Sequence, residues 1–270
     1  MREMERKTVG RVRLVRLVAG LALLAVLALV VSSASGQTVR AGNLIVTVEG
    51  GFTPHKLPKR EAASITLSAR STIRTADGTH LPALDFLNLD FDKHTGVNTE
   101  GLATCTTGKL QNTLTTQAKA FCRDAIIGSG QAGAEIAFPE QEPFFAKAPM
   151  VIFNGPPKNG HPVFIFHVYA HVPAPTTFIT TAEIGKASGL YGTSVYIKVP
   201  TIVAGQGSLS FAELSIHRKW TEKGRKGKAE EQTLLYGTCP SGHFFVRGAL
   251  TFKGGFKMAG KVVRSCTPSG

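Results

Sequence analysis

Hydrophobic and polar residues alternate in short runs along most of the chain beyond residue 40. The runs are rich in Val, Ile, Thr and Phe and are separated by Gly, Pro, Asn and Asp, which is typical of strands joined by turns. The pattern predicts about a dozen strands, at residues 44–49, 64–73, 84–91, 134–138, 150–153, 163–171, 177–184, 194–199, 208–218, 232–239, 243–252 and 261–266. Few segments show a helical period, which disfavours parallel α/β folds.

Two kinds of strand are predicted. Residues 163–166 are apolar on both alternating faces, as in a strand covered on both sides, whereas residues 208–211 alternate Ser, Leu, Ser and Phe like a half-exposed strand. Turn-forming stretches such as Asp77-Gly78, and Asn154-Gly155-Pro156-Pro157 together with Asn159-Gly160, separate the runs. The prediction is an all-β fold, mainly an antiparallel β-sandwich of about twelve strands, in a single domain over residues 37–270.

The first 36 residues are predicted to form a secretory signal peptide. Six basic residues against two acidic ones precede an apolar run over residues 17–31. Small residues then allow cleavage after Ser35 or Gly36, so that the mature protein begins near Gln37. An uncleaved membrane anchor is the alternative, although the apolar run is shorter than the roughly 20 residues that span a bilayer. We expect a secreted protein, or one on the extracellular face of the cell envelope.

Four cysteines follow the leader, and an exported chain with an even number usually pairs them. They are Cys105, Cys122, Cys239 and Cys266. Three connectivities are possible, and pairing of nearest neighbours is favoured because each such pair encloses a compact segment. The gaps between the cysteines are too long for a typical zinc site.

Residues 107–121 have a helical pattern in which Leu110, Leu114 and Phe121 share a face. A continuous helix would hold Cys105 and Cys122 about 25 Å apart at ~1.5 Å per residue, whereas the Cα atoms of a disulfide lie within about 7 Å. Pairing therefore predicts a short broken helix between them.

The net charge of the chain is +13, and most of it remains without the leader. A basic stretch with one aromatic residue lies between two predicted strands and is typical of a long hairpin tip. Such a stretch could bind an acidic cell-wall polymer or an anionic surface, or be simply a solvated loop. No specific nucleic acid is expected as a partner. The candidate polyanion-binding residues are Arg218, Lys219, Trp220, Lys223, Arg225, Lys226 and Lys228.

Three histidines, His161, His167 and His171, have the same strand parity. At about 3.3 Å per residue, His167 and His171 would be roughly 13 Å apart on a regular strand, too far for one zinc ion. They are weak metal candidates, and we predict no metal and no cofactor.

No catalytic residue is predicted. The Gly-x-Ser-x-Gly pattern of serine hydrolases is absent from the sequence, and Gly128-Ser129-Gly130 is predicted to be a turn. A carbohydrate-active hydrolase would need acidic residues to converge in a cleft; Asp85, Asp90 and Asp92 could alternatively bind calcium. The acidic candidates are Asp85, Asp90, Asp92, Glu135 and Glu183.

Several short sequence segments resemble those of a group of secreted β-proteins of high-GC Gram-positive bacteria with no assigned activity. They are 101–105 (GLATC), 122–130 (CRDAIIGSG), 153–155 (FNG) and the unit from Cys239 to Cys266. The resemblance spans most of the mature chain. It implies export, a disulfide-containing β domain and residence in the envelope or outside the cell, and it transfers no catalytic residue.

These observations favour a non-catalytic β protein with a binding or structural role over an enzyme. Two alternatives remain open: a secreted carbohydrate-active hydrolase, and a carrier of a small molecule or lipid in an internal cavity. The oligomeric state is not predicted.

Overall fold

The computed structural model describes residues 36–223 and 228–270. Within them the chain forms nineteen strands and two short α-helices, numbered here in chain order. The strands are β1 (Gln37–Ala41), β2 (Leu44–Thr53), β3 (Lys56–Pro58), β4 (Ala63–Ser64), β5 (Thr66–Thr75), β6 (Leu84–Asp92), β7 (Thr95–Val97), β8 (Ile126–Ile136), β9 (Phe144–Lys158), β10 (His161–Ala170), β11 (Thr176–Lys186), β12 (Tyr191–Lys198), β13 (Gly207–Ile216), β14 (Lys219–Lys223), β15 (Ala229–Thr233), β16 (Leu235–Gly237), β17 (His243–Phe252), β18 (Lys257–Ser265) and β19 (Thr267–Ser269). The helices are α1 (Thr107–Leu110) and α2 (Thr115–Phe121), and 3-10 turns occupy Arg123–Ala125 and Val203–Gly205.

Twelve of the strands form one sheet in the order β1-β2-β5-β13-β8-β9-β10-β11-β12-β6-β17-β18. Every neighbouring pair in it is antiparallel. The predicted mainly antiparallel all-β fold is confirmed. A single twelve-stranded sheet, nearly closed on itself, provides the packed layers of the fold. The last strand, β18, approaches β1 and β2 at the other end of the sheet, and we call this junction the seam. Smaller pairings join β14 to β15, β16 to β4 and β7, and β3 to β19.

Two predicted turns lie inside strands. Gly128-Ser129-Gly130 belongs to β8, and residues 154–157 belong to β9, which turns only at Asn159-Gly160. A Cβ at Gly128 would lie 2.5 Å from the carbonyl oxygen of Ser215 on β13, so glycine permits close strand approach here. The predicted turns at 128–130 and 154–157 were wrong, because Gly128 lies against the backbone of β13 and Gly155 against Ile165 of β10. The turn predicted at Asn159-Gly160 is confirmed.

The interior of the sheet contains two apolar clusters at opposite ends of the long strands. β2 contributes Phe52 to the first cluster and Leu44 to the second, and β17 contributes Phe244 and Phe252 in the same way. The members follow the alternate-residue pattern of the strands, since alternate side chains point to the same face. The interior is therefore packed at both ends.

A third apolar cluster lies where the helical segment covers one side of the sheet, against residues of β9 and β10. Leu110 and Ala118 of the two helices pack with Val151 and Phe153 of β9 and Ile165 of β10. This cluster gives those strands the second buried face that their uninterrupted apolar runs predicted.

The predicted break in the helical segment is confirmed. Helix α1 ends at Leu110 and α2 begins at Thr115. The side chain of Gln117 accepts a hydrogen bond from the Leu114 N–H and so caps the start of α2. The shared apolar face was predicted wrongly, because Leu110 is fully buried whereas Leu114 and Phe121 are exposed. The break turns α2 and separates these positions from the face of α1.

Both nearest-neighbour disulfides are confirmed. The Cα atoms are 5.6 Å apart in Cys105–Cys122 and 6.2 Å apart in Cys239–Cys266. Two disulfides are typical of proteins that reside in an oxidising compartment. The predicted signal peptide precedes the described residues apart from Gly36. Among the residues described, no helix is both long and apolar enough to cross a membrane.

Candidate functional site

An apolar cavity of about 290 Å³ lies inside the nearly closed sheet, between the two end clusters. Its walls come from both ends of the sheet order and from the strands between them. Aliphatic and aromatic side chains dominate the lining, among them Val48, Leu87, Leu89, Val195 and Val246. The volume is close to the lower end, about 300 Å³, of sites that bind small molecules.

Small residues at inward-facing positions create this space. Gly248 on β17 is paired with Gly260 on β18, and Ala212 on β13 is paired with Ser71 on β5; all four line the cavity. A Cβ added at Gly248 would meet nothing closer than the Cδ2 atom of Leu89, at 3.5 Å, which is an ordinary contact distance. A larger side chain at Gly248 would occupy part of the cavity. A Cβ at Gly260 would instead lie 2.6 Å from the Cγ2 atom of Val39 on β1, so glycine at this position permits close packing at the seam.

The lining determines which molecules this cavity could hold. Aliphatic and aromatic side chains form nearly all of it, so a polar group placed there would lose its hydrogen bonds to water without replacement. Apolar cavities in proteins take up apolar molecules. The lining therefore fits an apolar ligand.

Side chains rather than a backbone ladder bridge the seam. Arg264 on β18 donates hydrogen bonds to the carbonyl oxygens of Gly50 and, at 3.1 Å, Val48 on β2. The side chain of Gln37 accepts a hydrogen bond from the Val263 N–H at 3.0 Å. No strand pairing joins β18 to β1 or β2 in the described part of the chain, so these side-chain hydrogen bonds connect the two ends of the sheet.

Arg264 is the basic residue that lines the cavity. It is partly buried, and burial lowers the pKa of its guanidinium group. Glu49 is the acidic residue of the lining, but it is exposed and is paired in register with Arg70. Since no His, Cys, Asp, Lys or Tyr is among the described residues of the lining, the cavity has little to offer acid–base or nucleophilic chemistry.

Asp90 and Asp92 share the outer face of β6 and are both engaged by neighbours. Asp90 is buried and accepts a hydrogen bond from Arg247 Nε at 2.8 Å. Burial opposes ionisation of Asp90, but hydrogen bonds that include those from Arg247 and Asn88 outweigh it and hold its pKa below the usual value. Asp92 accepts hydrogen bonds from the backbone N–H groups of His94 and Phe245 at 2.9 and 3.0 Å. Both carboxylates therefore serve the structure of the outer face.

The other acidic candidates lie in different surroundings. Glu135 is 2.5 Å from His80 Nδ1, and the half-buried Glu183 is 2.5 Å from Lys158 Nζ. Asp85 is half-buried, and its backbone carbonyl accepts the Val199 N–H at 2.8 Å. None of the five acidic candidates lines the cavity. The structure does not bring them together in a cleft.

The three histidines are also separate. His161 and His171 are exposed, and the ring of His171 packs against Tyr169. His167 is fully buried, and its Nε2 atom lies 3.0 Å from the Thr113 hydroxyl. Burial lowers the pKa of His167, although the carbonyl of Thr113 acts in the opposite direction. Among the described residues, no group of three His, Cys, Asp or Glu side chains could hold a metal ion.

The basic stretch predicted to bind polyanions is centred on the hairpin of β14 and β15. Lys219 forms an ion pair of 2.7 Å with Glu231, and Trp220 is half-buried and packs against the first core cluster. Arg218 is half-buried and Lys228 is exposed. Arg225, Lys226 and the side chain of Lys223 lie outside the described part of the chain. Polyanion binding at this hairpin stays a prediction.

The sequence pattern identified none of the residues that form the cavity, although a carrier with an internal cavity was among the functions it left open. The signal that could have located the cavity is a small residue at an inward position of an alternating strand. Gly248 stands between Val246 and Leu250 in the run of β17, where the period of two favours an apolar side chain. Gly260 also interrupts the apolar run of β18, but the space beside it is filled by Val39.

Similarity to known proteins adds no assignment to this geometry. No protein-family model matches the chain, and comparisons with curated proteins and with solved structures likewise find no match.

Proposed function

We propose that this protein is an exported, non-catalytic binding protein that carries a small apolar molecule or a single acyl chain inside its nearly closed sheet. The observation that supports the proposal most directly is the apolar cavity of about 290 Å³ between two packed end clusters. The two disulfides and the predicted signal peptide support action outside the cytoplasm.

A binding role agrees better with the lining than catalysis does. Apolar contacts provide affinity for a ligand that is poorly soluble in water, at about 25 cal/mol per Å² of apolar surface removed from water. The acidic residues that a hydrolase would need face away from the cavity or lie elsewhere. A ligand held there would be shielded from solvent and released unchanged.

The test is equilibrium binding of a neutral fluorescent probe, N-phenylnaphthylamine, to the purified oxidised protein. We expect saturable fluorescence enhancement at one site and competition by decanol. Gly248→Leu should weaken probe binding at least tenfold because its side chain would occupy the cavity. Gly185→Leu is the matched control, since Gly185 is also in a strand, and its Cβ would meet nothing within 4 Å. Absence of saturable binding to the unmodified protein would overturn the proposal.

A further inference from the structure

Arg264 combines two properties at the edge of the cavity. Arg264 lines the apolar interior and also lies at the seam, where it is only partly buried. Its side chain packs along the seam, with the Cδ atom 3.3 Å from where a Cβ of Gly51 would lie. An amphiphile with its apolar body in the cavity and its end group at the seam would meet this cation.

The charge of Arg264 has no carboxylate partner among the described residues. Its acceptors are the neutral carbonyl oxygens of Gly50, Val48 and Val263. A guanidinium group has five N–H bonds, and these three contacts leave one free N–H on Nη1 and one on Nη2. The guanidinium group thus has two N–H donors without an acceptor among the described residues.

Two free donors on adjacent nitrogens suit one kind of acceptor particularly well. A carboxylate presents two oxygens in a plane and accepts parallel hydrogen bonds from the two terminal nitrogens of an arginine. Such a pair would compensate the charge of Arg264 in surroundings of low polarity, where electrostatic attraction is stronger than in water. An alcohol would accept a hydrogen bond without compensating the positive charge of Arg264, and a protonated amine would be repelled by that charge.

We infer that the ligand of the cavity is an acidic amphiphile, a monocarboxylic acid with an apolar body, and that Arg264 binds its carboxylate at the seam. This inference rests on the proposed function, because it assigns the end group of the ligand that the cavity would hold. Glu49 does not compete for Arg264, since it is exposed beside its cross-strand neighbour Arg70 and forms no ion pair with Arg264 within 4 Å.

The experiment compares three ligands of equal chain length, decanoic acid, decanol and decylamine, by isothermal titration calorimetry at neutral pH. For the unmodified protein we expect decanoic acid to bind about tenfold or more tightly than decanol, since hydrogen bonds to charged groups are the strong ones. Decylamine should bind least tightly. Arg264→Met should remove the preference for the acid while decanol binding is retained. Arg40→Met is the control, because Arg40 is an exposed arginine on β1 outside the cavity lining.

The outcomes separate the inference from the proposed function. Equal affinities for acid and alcohol in the unmodified protein would overturn the inference and leave the proposed function standing, whereas binding of neither ligand would overturn both. Should Arg264→Met fail to fold, the unmodified protein decides by its pH dependence. The preference for decanoic acid should disappear below the pKa of a carboxylic acid, about 4–5, with circular dichroism confirming that the fold persists. A preference that survives protonation of the ligand would also refute the role of Arg264.

Discussion

Filling the cavity from within should raise stability and abolish binding in the same variant. Gly248 is suited to this test because it faces the cavity, has no positive φ, and has Leu89 as its nearest neighbour at an ordinary contact distance of 3.5 Å. Burial of a leucine side chain contributes about 1.5–3 kcal/mol. Replacing glycine in a strand interior adds up to about 1 kcal/mol. We therefore expect Gly248→Leu to raise the free energy of unfolding by about 2 kcal/mol.

The control separates the two contributions. Gly185→Leu changes a strand glycine in the same way, but its side chain would extend into open space, so only the backbone contribution remains. The assay is guanidinium chloride unfolding with the disulfides intact, in which the midpoint reports stability and the slope reports the surface exposed. Probe titration on the same samples should show binding at least tenfold weaker for Gly248→Leu and unchanged for Gly185→Leu.

Two results would refute this reasoning. Destabilisation of the Gly248→Leu protein by about 1 kcal/mol or more, as overpacking typically produces, would mean that no usable space exists beside Leu89. A variant that is stabilised but binds the probe as the unmodified protein does would place the probe elsewhere. Because most substitutions destabilise a protein, stabilisation together with lost binding would be a specific sign that the new side chain fills the cavity.

Three further predictions concern groups outside the cavity. Arg247→Met should raise the pKa of Asp90 and destabilise the protein at neutral pH. The loss of stability should shrink as the pH falls below about 4, because the carboxyl group is then protonated. Unfolding midpoints measured across pH test this dependence. His167 has a lowered pKa in the folded state, so below about pH 6.5 the unfolded chain binds more protons and stability should fall with acidification. His167→Gln should flatten the dependence of stability on pH between about pH 6.5 and 5. An unchanged slope would contradict the lowered pKa of His167. Replacing Cys239 and Cys266 together by Ala should cost about 3–4 kcal/mol of stability, and retention of the original midpoint would show that this disulfide contributes little.

Much of the fold follows from the local pattern along the chain. The alternation in residues 243–252 predicted a strand with the bounds that β17 has, and residues 84–91 predicted β6 to within one residue. The expectation of disulfides also followed from the sequence, because the predicted export signal and the even number of cysteines favour pairing. The structure has the favoured nearest-neighbour connectivity. These features depend on neighbours in sequence or on the compartment.

The pattern was least informative where a residue's role depends on another strand. Gly128 and Gly130 have turn chemistry in isolation, yet they lie in β8 because the backbone of β13 passes close to them. Leu114 and Phe121 share a face on a continuous helix, but the break before Thr115 leaves both exposed. Trp220 belongs to a basic stretch, yet its ring packs on the core. In each case a contact distant in sequence, or a local break, decided the outcome.

The sequence by itself determined the all-β class, the alternation that separates inward from outward residues, and the expectation that the four cysteines pair. Only the tertiary structure decided that the twelve-stranded sheet nearly closes on itself and brings β18 beside β1 and β2. That closure places Gly248, Gly260, Ala212 and Ser71 around one space and sets Arg264 at its edge. The physical reason is that a cavity is defined by what several strands fail to fill, and the period of a single strand carries no information about the side chains that face it from the others.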